Sequence, residues 1–402
     1  MDNIKYEIFL VNNKRGGVDT FLEQLCGGSR VRLSVNKGHF NYINLDKFGV
    51  GSQVLGFSEL PDIILNIIPF LSRKTSERVA LILDILSLGL CGLVYTTLNS
   101  IWHMSKLDGS KPILVVMGGY PGSLHGRIFA WIASSLKNRS VVMSIHNLRG
   151  VSPPWAKLRD GFIDRYLLKK VKSWIFVSQV TLDSIGGSDF GRASSHVVYN
   201  GICDLDNAFI GGKVPIPVKK DVYNFGLVGT FENRKGFDLA IRAYSKVKTS
   251  GGVGMLKIFG EGSNKETALL YDLIKELDLV NSVEFVGFVK DKSEIYEAVD
   301  VIVVPSRAFE SFGYVALESI QRNVPVIVSD HGGLKEVSEI IGNPNVFISD
   351  NVEALEKLLV SVTQNYHQNV NNLQVMRSKI RAQFNQERMV QEYEAIILNN
   401  AL

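Results

Sequence analysis

The apolar residues of this chain gather in short runs bounded by turn-forming residues. Residues 6–11, 113–117, 141–145, 174–177, 196–199, 224–228, 255–259, 283–286, 301–304 and 324–328 are such runs. Short, largely apolar runs bounded in this way predict strands buried on both faces. Between many of them lie helix-like stretches of suitable length, such as 237–248, 264–277 and 293–298. Strand alternating with helix predicts an α/β protein whose parallel sheets are covered by helices on both faces.

At 402 residues the chain is long enough for two domains, given roughly 100–200 residues per domain. A change of composition falls near 202–222, where Asp and Asn at 204–207 are followed by Gly and Pro at 211–217, and this predicts a linker. Hydrophobic residues make up 46% and charged residues 21%, which allows sizeable cores and argues against a disordered chain. The three cysteines, Cys26, Cys91 and Cys203, are too scattered for a zinc site or a disulfide framework, and fit a reducing compartment. The first residues read as a strand running into a Gly-rich turn rather than as a signal peptide. Residues 79–98 have the length of a membrane span, but Asp84 would be costly in lipid; they predict a buried or interfacial helix instead.

Charge is uneven. Residues 1–200 hold 23 Lys and Arg against 14 Asp and Glu, whereas 201–402 hold 21 against 26. Within the basic half, 157–172 (KLRDGFIDRYLLKKVK) interleaves cations with Leu158, Phe162, Ile163, Tyr166 and Leu167. Two readings stand. One is an amphipathic basic helix suited to anionic lipid headgroups; the other is a solvated face whose apolar residues enter the core. Basic residues that do not alternate with exposed aromatics, and the lack of a recognition motif, argue against nucleic acid.

The chemistry concentrates at strand ends. After the run 301–304 comes Pro305-Ser306-Arg307-Ala308-Phe309-Glu310-Ser311-Phe312-Gly313-Tyr314, with a helix predicted from about Gly313 and Glu318 inside it. Ligands of open α/β sheets bind beyond the carboxyl ends of the strands, and a helix N-terminus there suits a phosphate. A second loop, Gly229-Thr230-Phe231-Glu232-Asn233-Arg234-Lys235-Gly236, lies between a strand and a helix. Its cations can neutralise a diphosphate; the alternative is a basic helix start exposed to water. Gly16 and Gly17 end the first strand and would admit a ligand to the backbone. His146 ends the run 141–145, placed for a cleft or else hydrogen-bonded within its own loop.

The Glu310-x7-Glu318 spacing after a strand and Pro-Ser resembles retaining nucleotide-sugar glycosyltransferases of family 4. Gly260, Phe288 and Val289 also sit at strand–loop junctions resembling the family's. The resemblance implies a GT-B fold: two Rossmann-like domains with parallel sheets facing a central cleft. It implies an acceptor-binding domain, 1–204, completed by a C-terminal helix, 385–402, and a donor-binding domain, 205–384. Glu318 would take the ribose hydroxyls and Glu310 the donor sugar, while the amides of Ser311, Phe312, Gly313 and Tyr314 would hold sugar and phosphate oxygens. Lys235 would meet the diphosphate. Thr230 stands where the family usually has Arg, and the neighbouring Arg234 is the candidate replacement. Gly260, Phe288 and Val289 would face the base, Gly16 and Gly17 the donor phosphate, and His146 the reacting sugar. The catalytic set is thus His146, Glu310 and Lys235.

The implied reaction moves a hexose-type sugar, with retention, from a nucleotide diphosphate to a glycan or lipid-linked acceptor in cell-surface polysaccharide synthesis. No cofactor or metal is required on this reading; Asp204-Leu205-Asp206 has the spacing of a metal-binding pair but falls in the expected linker. The implied place is the cytoplasm, with peripheral contact through 157–172 at the inner membrane. Competing readings are a nucleotide-sugar epimerase, a sugar phosphorylase, or a non-catalytic nucleotide-sugar-binding partner subunit.

Overall fold

The computed structural model describes residues 4–11, 16–27, 29–36, 53–57, 73–86, 90–136, 139–186, 195–203, 222–248, 253–308 and 310–400. Two compact units emerge: Met1–Gly201 together with Gln386–Leu402, and Ile202–Asn385. The expected linker lies mostly at 204–221, and with Asp204-Leu205-Asp206 it falls outside the described residues.

The first unit is built on a seven-stranded sheet of β1 (Tyr6–Leu10), β2 (Val31–Asn36), β3 (Gln53–Phe57), β4 (Ile113–Met117), β5 (Val141–Ile145), β6 (Ser173–Phe176) and β7 (Ser195–Val197). Their order is β3-β2-β1-β4-β5-β6-β7, and every pairing is parallel. The helices are α1 (Gly17–Gly27), α2 (Arg73–Leu86), α3 (Leu90–Met104), α4 (Leu124–Ser135), α5 (Lys157–Lys170) and α6 (Gln179–Ser184). β1, β4 and β5 are buried along their whole length, as in a parallel sheet covered on both faces. Phe9 of β1 stacks on Phe129 of α4 with ring centroids 3.7 Å apart, and both are almost wholly buried. Removing either ring would cost about 3–5 kcal/mol.

The chain's last helix, Gln386–Asn399, belongs to this first unit. The buried Tyr393 shares a hydrogen bond of 2.7 Å between its hydroxyl and Ser144 Oγ of β5. Lys5 Nζ donates to Glu394 at 2.8 Å, and the Gln386 amide donates to the Gln24 carbonyl at 2.7 Å.

The stretch 79–98, expected as one helix, is divided between α2 and α3, with 87–89 outside the described residues. Among the described residues no helix is long and apolar enough to cross a membrane.

The second unit holds β8 (Tyr223–Val228), β9 (Val253–Phe259), β10 (Val283–Gly287), β11 (Val301–Val304), β12 (Val326–Ser329) and β13 (Val346–Phe347), in the order β10-β9-β8-β11-β12-β13. This sheet too is parallel throughout. It is covered by α7 (Phe237–Lys248), α8 (Asn264–Glu276), α9 (Lys292–Glu297), α10 (Tyr314–Gln321), α11 (Gly332–Ile341), α12 (Val352–Gln364) and α13 (Tyr366–Gln383). Because all strands point one way, the loops after β8, β9, β10 and β11 gather at a single edge of the sheet.

Candidate functional site

The site in the second unit is assembled from those loops. After β8 the chain makes a short 3₁₀ turn over Asn233–Lys235 and leaves it through Gly236, at φ 70°. Glycine is needed there twice over. The backbone is left-handed, and a Cβ would stand 2.0 Å from the Pro305 carbonyl oxygen. The close approach seats the β8 loop on the β11 loop, and the Arg307 amide adds a 2.8 Å hydrogen bond to the Arg234 carbonyl.

Lys235 Nζ thereby comes 2.6 Å from Glu310 Oε2. The same carboxylate oxygen accepts from Ser306 Oγ at 3.2 Å. Burial alone would raise the Glu310 carboxyl; the Lys235 ammonium, with Arg234 and Ser306, more than offsets this and holds it below the ordinary carboxylate range. Glu310 is therefore ionised at neutral pH. An ammonium has three donors, so Lys235 keeps capacity for a further anionic partner.

Arg234, the candidate replacement for the missing arginine, has its guanidinium Nε 2.5 Å from Glu232 Oε2. Thr230 has a buried hydroxyl with no hydrogen-bond partner among the described residues.

The β11 loop ends at Gly313, which caps α10 in the left-handed region at φ 93°. A Cβ there would lie 2.5 Å from Leu334 Cδ2. Phe312, Gly313 and Tyr314 are buried and Ser311 is half-buried. The Phe312 ring packs edge-on against Tyr314 and Phe384, with centroids 5.2 and 5.6 Å apart. The Glu310 carbonyl accepts from the Gly333 amide at 2.8 Å, tying this loop to the start of α11.

Glu318 lies on α10, almost fully buried. Its carboxylate is held by Lys292 of α9 and by the Tyr296 hydroxyl at 3.0 Å. Gly260 follows β9, its amide donating to the Gly287 carbonyl at 2.8 Å. Phe288 is exposed and Val289 half-buried at the end of β10.

Three groups were not singled out in the sequence. Lys292 and Tyr296 hold Glu318. Arg307 reaches both oxygens of Asp238 at 3.0 and 3.1 Å, Asp350 at 2.7 Å and the Asn233 side chain at 2.7 Å. None of the three carries a local sequence signal, because their partners are distant along the chain.

In the first unit, Gly16 and Gly17 are exposed at the start of α1, where the Gly16 amide donates to Asp19 Oδ2 at 2.5 Å. Asn13, Lys14 and Arg15 lie outside the described residues. His146 follows β5 but is buried. Its Nε2 is 2.8 Å from Ser144 Oγ, and its ring lies 4.1 Å from that of Phe21. Burial lowers its pKa to about 3, so the imidazole is neutral at physiological pH. The ring is thus hydrogen-bonded next to its own strand, through a serine that also meets Tyr393.

Two parallel-sheet α/β units with loops gathered at strand ends define a GT-B protein, and solved structures share the arrangement. HepE of Anabaena, crystallised with UDP, matches with a TM-score of 0.73 at 17% identity, over 98% of this chain and 100% of that one. Sucrose-phosphate synthase of Thermosynechococcus elongatus matches with 0.72 at 16% identity, over 98% of each chain. Residues 213–381 match the family model for glycosyl transferases group 1. A glycosyltransferase of Methanocaldococcus jannaschii is 34% identical over 150 residues, covering 35% of this chain and 37% of its own length. The O-antigen biosynthesis glycosyltransferase WclY of Escherichia coli is 26% identical over 207 residues, covering 48% and 56%. The chain spans little more than half the length of these relatives at most.

Proposed function

We propose that this chain is a retaining glycosyltransferase that moves a hexose-type sugar from a nucleotide diphosphate to a glycan or lipid-linked acceptor. The observation that carries this is the Lys235–Glu310 pair, 2.6 Å apart with Glu310 ionised, on loops at the carboxyl edge of the second sheet. A cation there meets the diphosphate as it gains charge, and the carboxylate beside it takes a sugar hydroxyl. The amides of Ser311, Phe312, Gly313 and Tyr314 hold sugar and phosphate oxygens; Glu318 takes the ribose; Gly260, Phe288 and Val289 border the base.

In the reaction the bond from the anomeric carbon to the phosphate oxygen breaks. The bond to the acceptor oxygen forms on the same face, and the acceptor proton passes to the departing phosphate oxygen. The protein's work is to hold the two reactants together and to stabilise the leaving charge. Gly16, Gly17 and His146 serve this from the first unit. His146 does so as a neutral donor or acceptor whose orientation Ser144 fixes.

HepE was crystallised with UDP and with UDP-glucose, so UDP-glucose is the first donor to test. The likeness to an O-antigen transferase favours a cell-surface polysaccharide as product, and the exposed cations of α5 favour peripheral contact with anionic lipid at the cytoplasmic face of the inner membrane. Purified chain should release UDP from UDP-glucose slowly, and faster with a glycan acceptor. If no nucleotide sugar yields nucleotide in the presence of lipid-linked or soluble saccharides, the proposal fails.

A non-catalytic nucleotide-sugar-binding subunit is the second reading. It is favoured by Thr230 in place of arginine and by Arg234 lying against Glu232. It predicts melting-point stabilisation by the nucleotide sugar with no turnover.

A further inference from the structure

The helical layer on one face of the first unit turns large apolar side chains outward, where an ordinary surface helix carries polar ones. The crossovers from β3 to β4, β4 to β5 and β5 to β6 all run the same way across the sheet, so right-handed connections put α3, α4 and α5 on one face. α3 packs along α4, and α4 along α5.

On α3 the inward residues include Thr96, Ser100 and His103, all buried. The outward ones are Val94, Leu98, Ile101 and Trp102, each more than half exposed. Their spacing of four, three and one residues makes a single stripe along the helix. Outward apolar residues recur on α5. Its inner side buries Ile163 and Leu167, with Asp160 held by Arg127 of α4 at 3.0 Å, while Leu158 is 93% and Phe162 63% exposed.

Charge on this layer has one sign. α3 contains no Asp or Glu. Both acids of α5 are turned to Arg127, Asp160 at 3.0 Å and Asp164 at 3.1 Å. Lys157, Arg165, Lys169 and Lys170 are exposed on the same helix, and Lys106 lies over the Trp102 ring at 3.4 Å, the pairing of an aromatic ring with a cation that suits an interface.

We propose that the outer face of α3 and α5 docks on the surface of an anionic bilayer, with Leu98, Ile101, Trp102, Leu158 and Phe162 entering the headgroup region and the flanking cations meeting lipid phosphates. A lipid surface fits both features together, because it offers apolar depth beneath a negatively charged plane. Among the described residues no helix is long and apolar enough to cross a membrane. The inference extends the basic-helix contact of the proposed function to a second helix, and it stands whether or not sugar transfer occurs.

The test is flotation of the full chain with vesicles of phosphatidylcholine alone and with about 30% phosphatidylglycerol. The chain should float with the anionic vesicles, and raising salt to about 0.5 M should weaken but not abolish binding. Leu98→Asp with Trp102→Asp should lower binding at least tenfold, and Phe162→Asp several-fold. Arg165→Ser with Lys169→Ser and Lys170→Ser should remove the preference for anionic vesicles. UDP stabilisation and the melting point report whether each variant is folded, and none of these residues belongs to the nucleotide site. The proposal is overturned if the native chain does not float with anionic vesicles. It is equally overturned if the double Asp variant floats like the native chain, or if the native chain is a dimer that this variant converts to monomer without any vesicle binding, since a second copy would then cover the face.

Discussion

Lys235 Nζ stands 2.6 Å from Glu310 Oε2, two residues far apart in sequence joined across the loops that follow neighbouring strands β8 and β11. Both side chains are mostly withdrawn from water, 21% and 14% exposed. Replacing Lys235 by Met leaves a carboxylate without its cation in a partly dry place. The expected cost is about 1–3 kcal/mol of stability, reduced from the fully buried case by residual solvent. Glu310→Gln should cost less, because an amide can still accept from Ser306. Both variants should lose at least a hundredfold in nucleotide release from UDP-glucose. Thermal melting and a coupled UDP assay check the two effects separately; a Lys235→Met enzyme with native turnover would remove Lys235 from the chemistry.

Tyr296 donates to Glu318 at 3.0 Å, and Lys292 holds the other oxygen of the same carboxylate. If Glu318 receives the ribose hydroxyls, these two groups fix the rotamer that does so. Tyr296→Phe removes one hydrogen bond to a charged acceptor, a loss of about 1.5 kcal/mol. The KM for nucleotide sugar should rise about tenfold while kcat changes little. An equal fall in kcat with no change in KM would place Glu318 in the chemical step instead.

The central strands were legible because they are almost wholly apolar: β4, β5 and β11 coincide with the runs 113–117, 141–145 and 301–304. β2 and β13 were not: β2 carries Arg32 and Ser34 between its apolar residues, and β13 has two residues. The Glu310-x7-Glu318 spacing and the position of Lys235 could be read from sequence, since each depends on a local strand–loop–helix unit. What holds those side chains could not. Asp238, Asp350 and Asn233 meet Arg307 only when two strands are neighbours, and nothing local in Pro-Ser-Arg-Ala marks the Arg. The outward apolar stripe of α3 was hidden for the same reason: which side of the helix faces the core shows only once the sheet is in place.

Arg307 grips the β8 loop from the β11 loop through Asn233 and, in a two-pronged contact, Asp238 of α7. Its guanidinium does not touch Lys235 or Glu310 among the contacts described, so its effect on them is positional. Burial would weaken its charge, but Asp238 and Asp350 more than offset this and strengthen its hold on the proton. Arg307→Lys keeps the charge and loses the fork. We expect a stability loss of about 1 kcal/mol, discounted because Asp350 is largely exposed, and a fall in kcat/KM of about tenfold. Asp238→Asn should give a smaller loss, and adding it to Arg307→Lys should do little further harm, as a double-mutant cycle would register.

Three histidines of the first unit set an acid limit. Burial lowers His103 to about 4 and His125 to about 3, with further lowering of each by a neighbouring cationic form, and burial alone lowers His146 to about 3. Each stays neutral in the folded chain while its unfolded counterpart takes a proton near the ordinary value of 6.5. The unfolded state therefore binds more protons below that pH. Stability is fully present above about pH 6.5 and falls by roughly 1.4 kcal/mol per pH unit per histidine as the solution is acidified toward the folded values. Replacing His103 by Phe, beside Phe9 and Phe129, should remove one such contribution and flatten the slope between about pH 6 and 4.5. Urea unfolding across that interval measures it. A slope that His103→Phe leaves unchanged would mean that this imidazole already carries its proton in the folded chain.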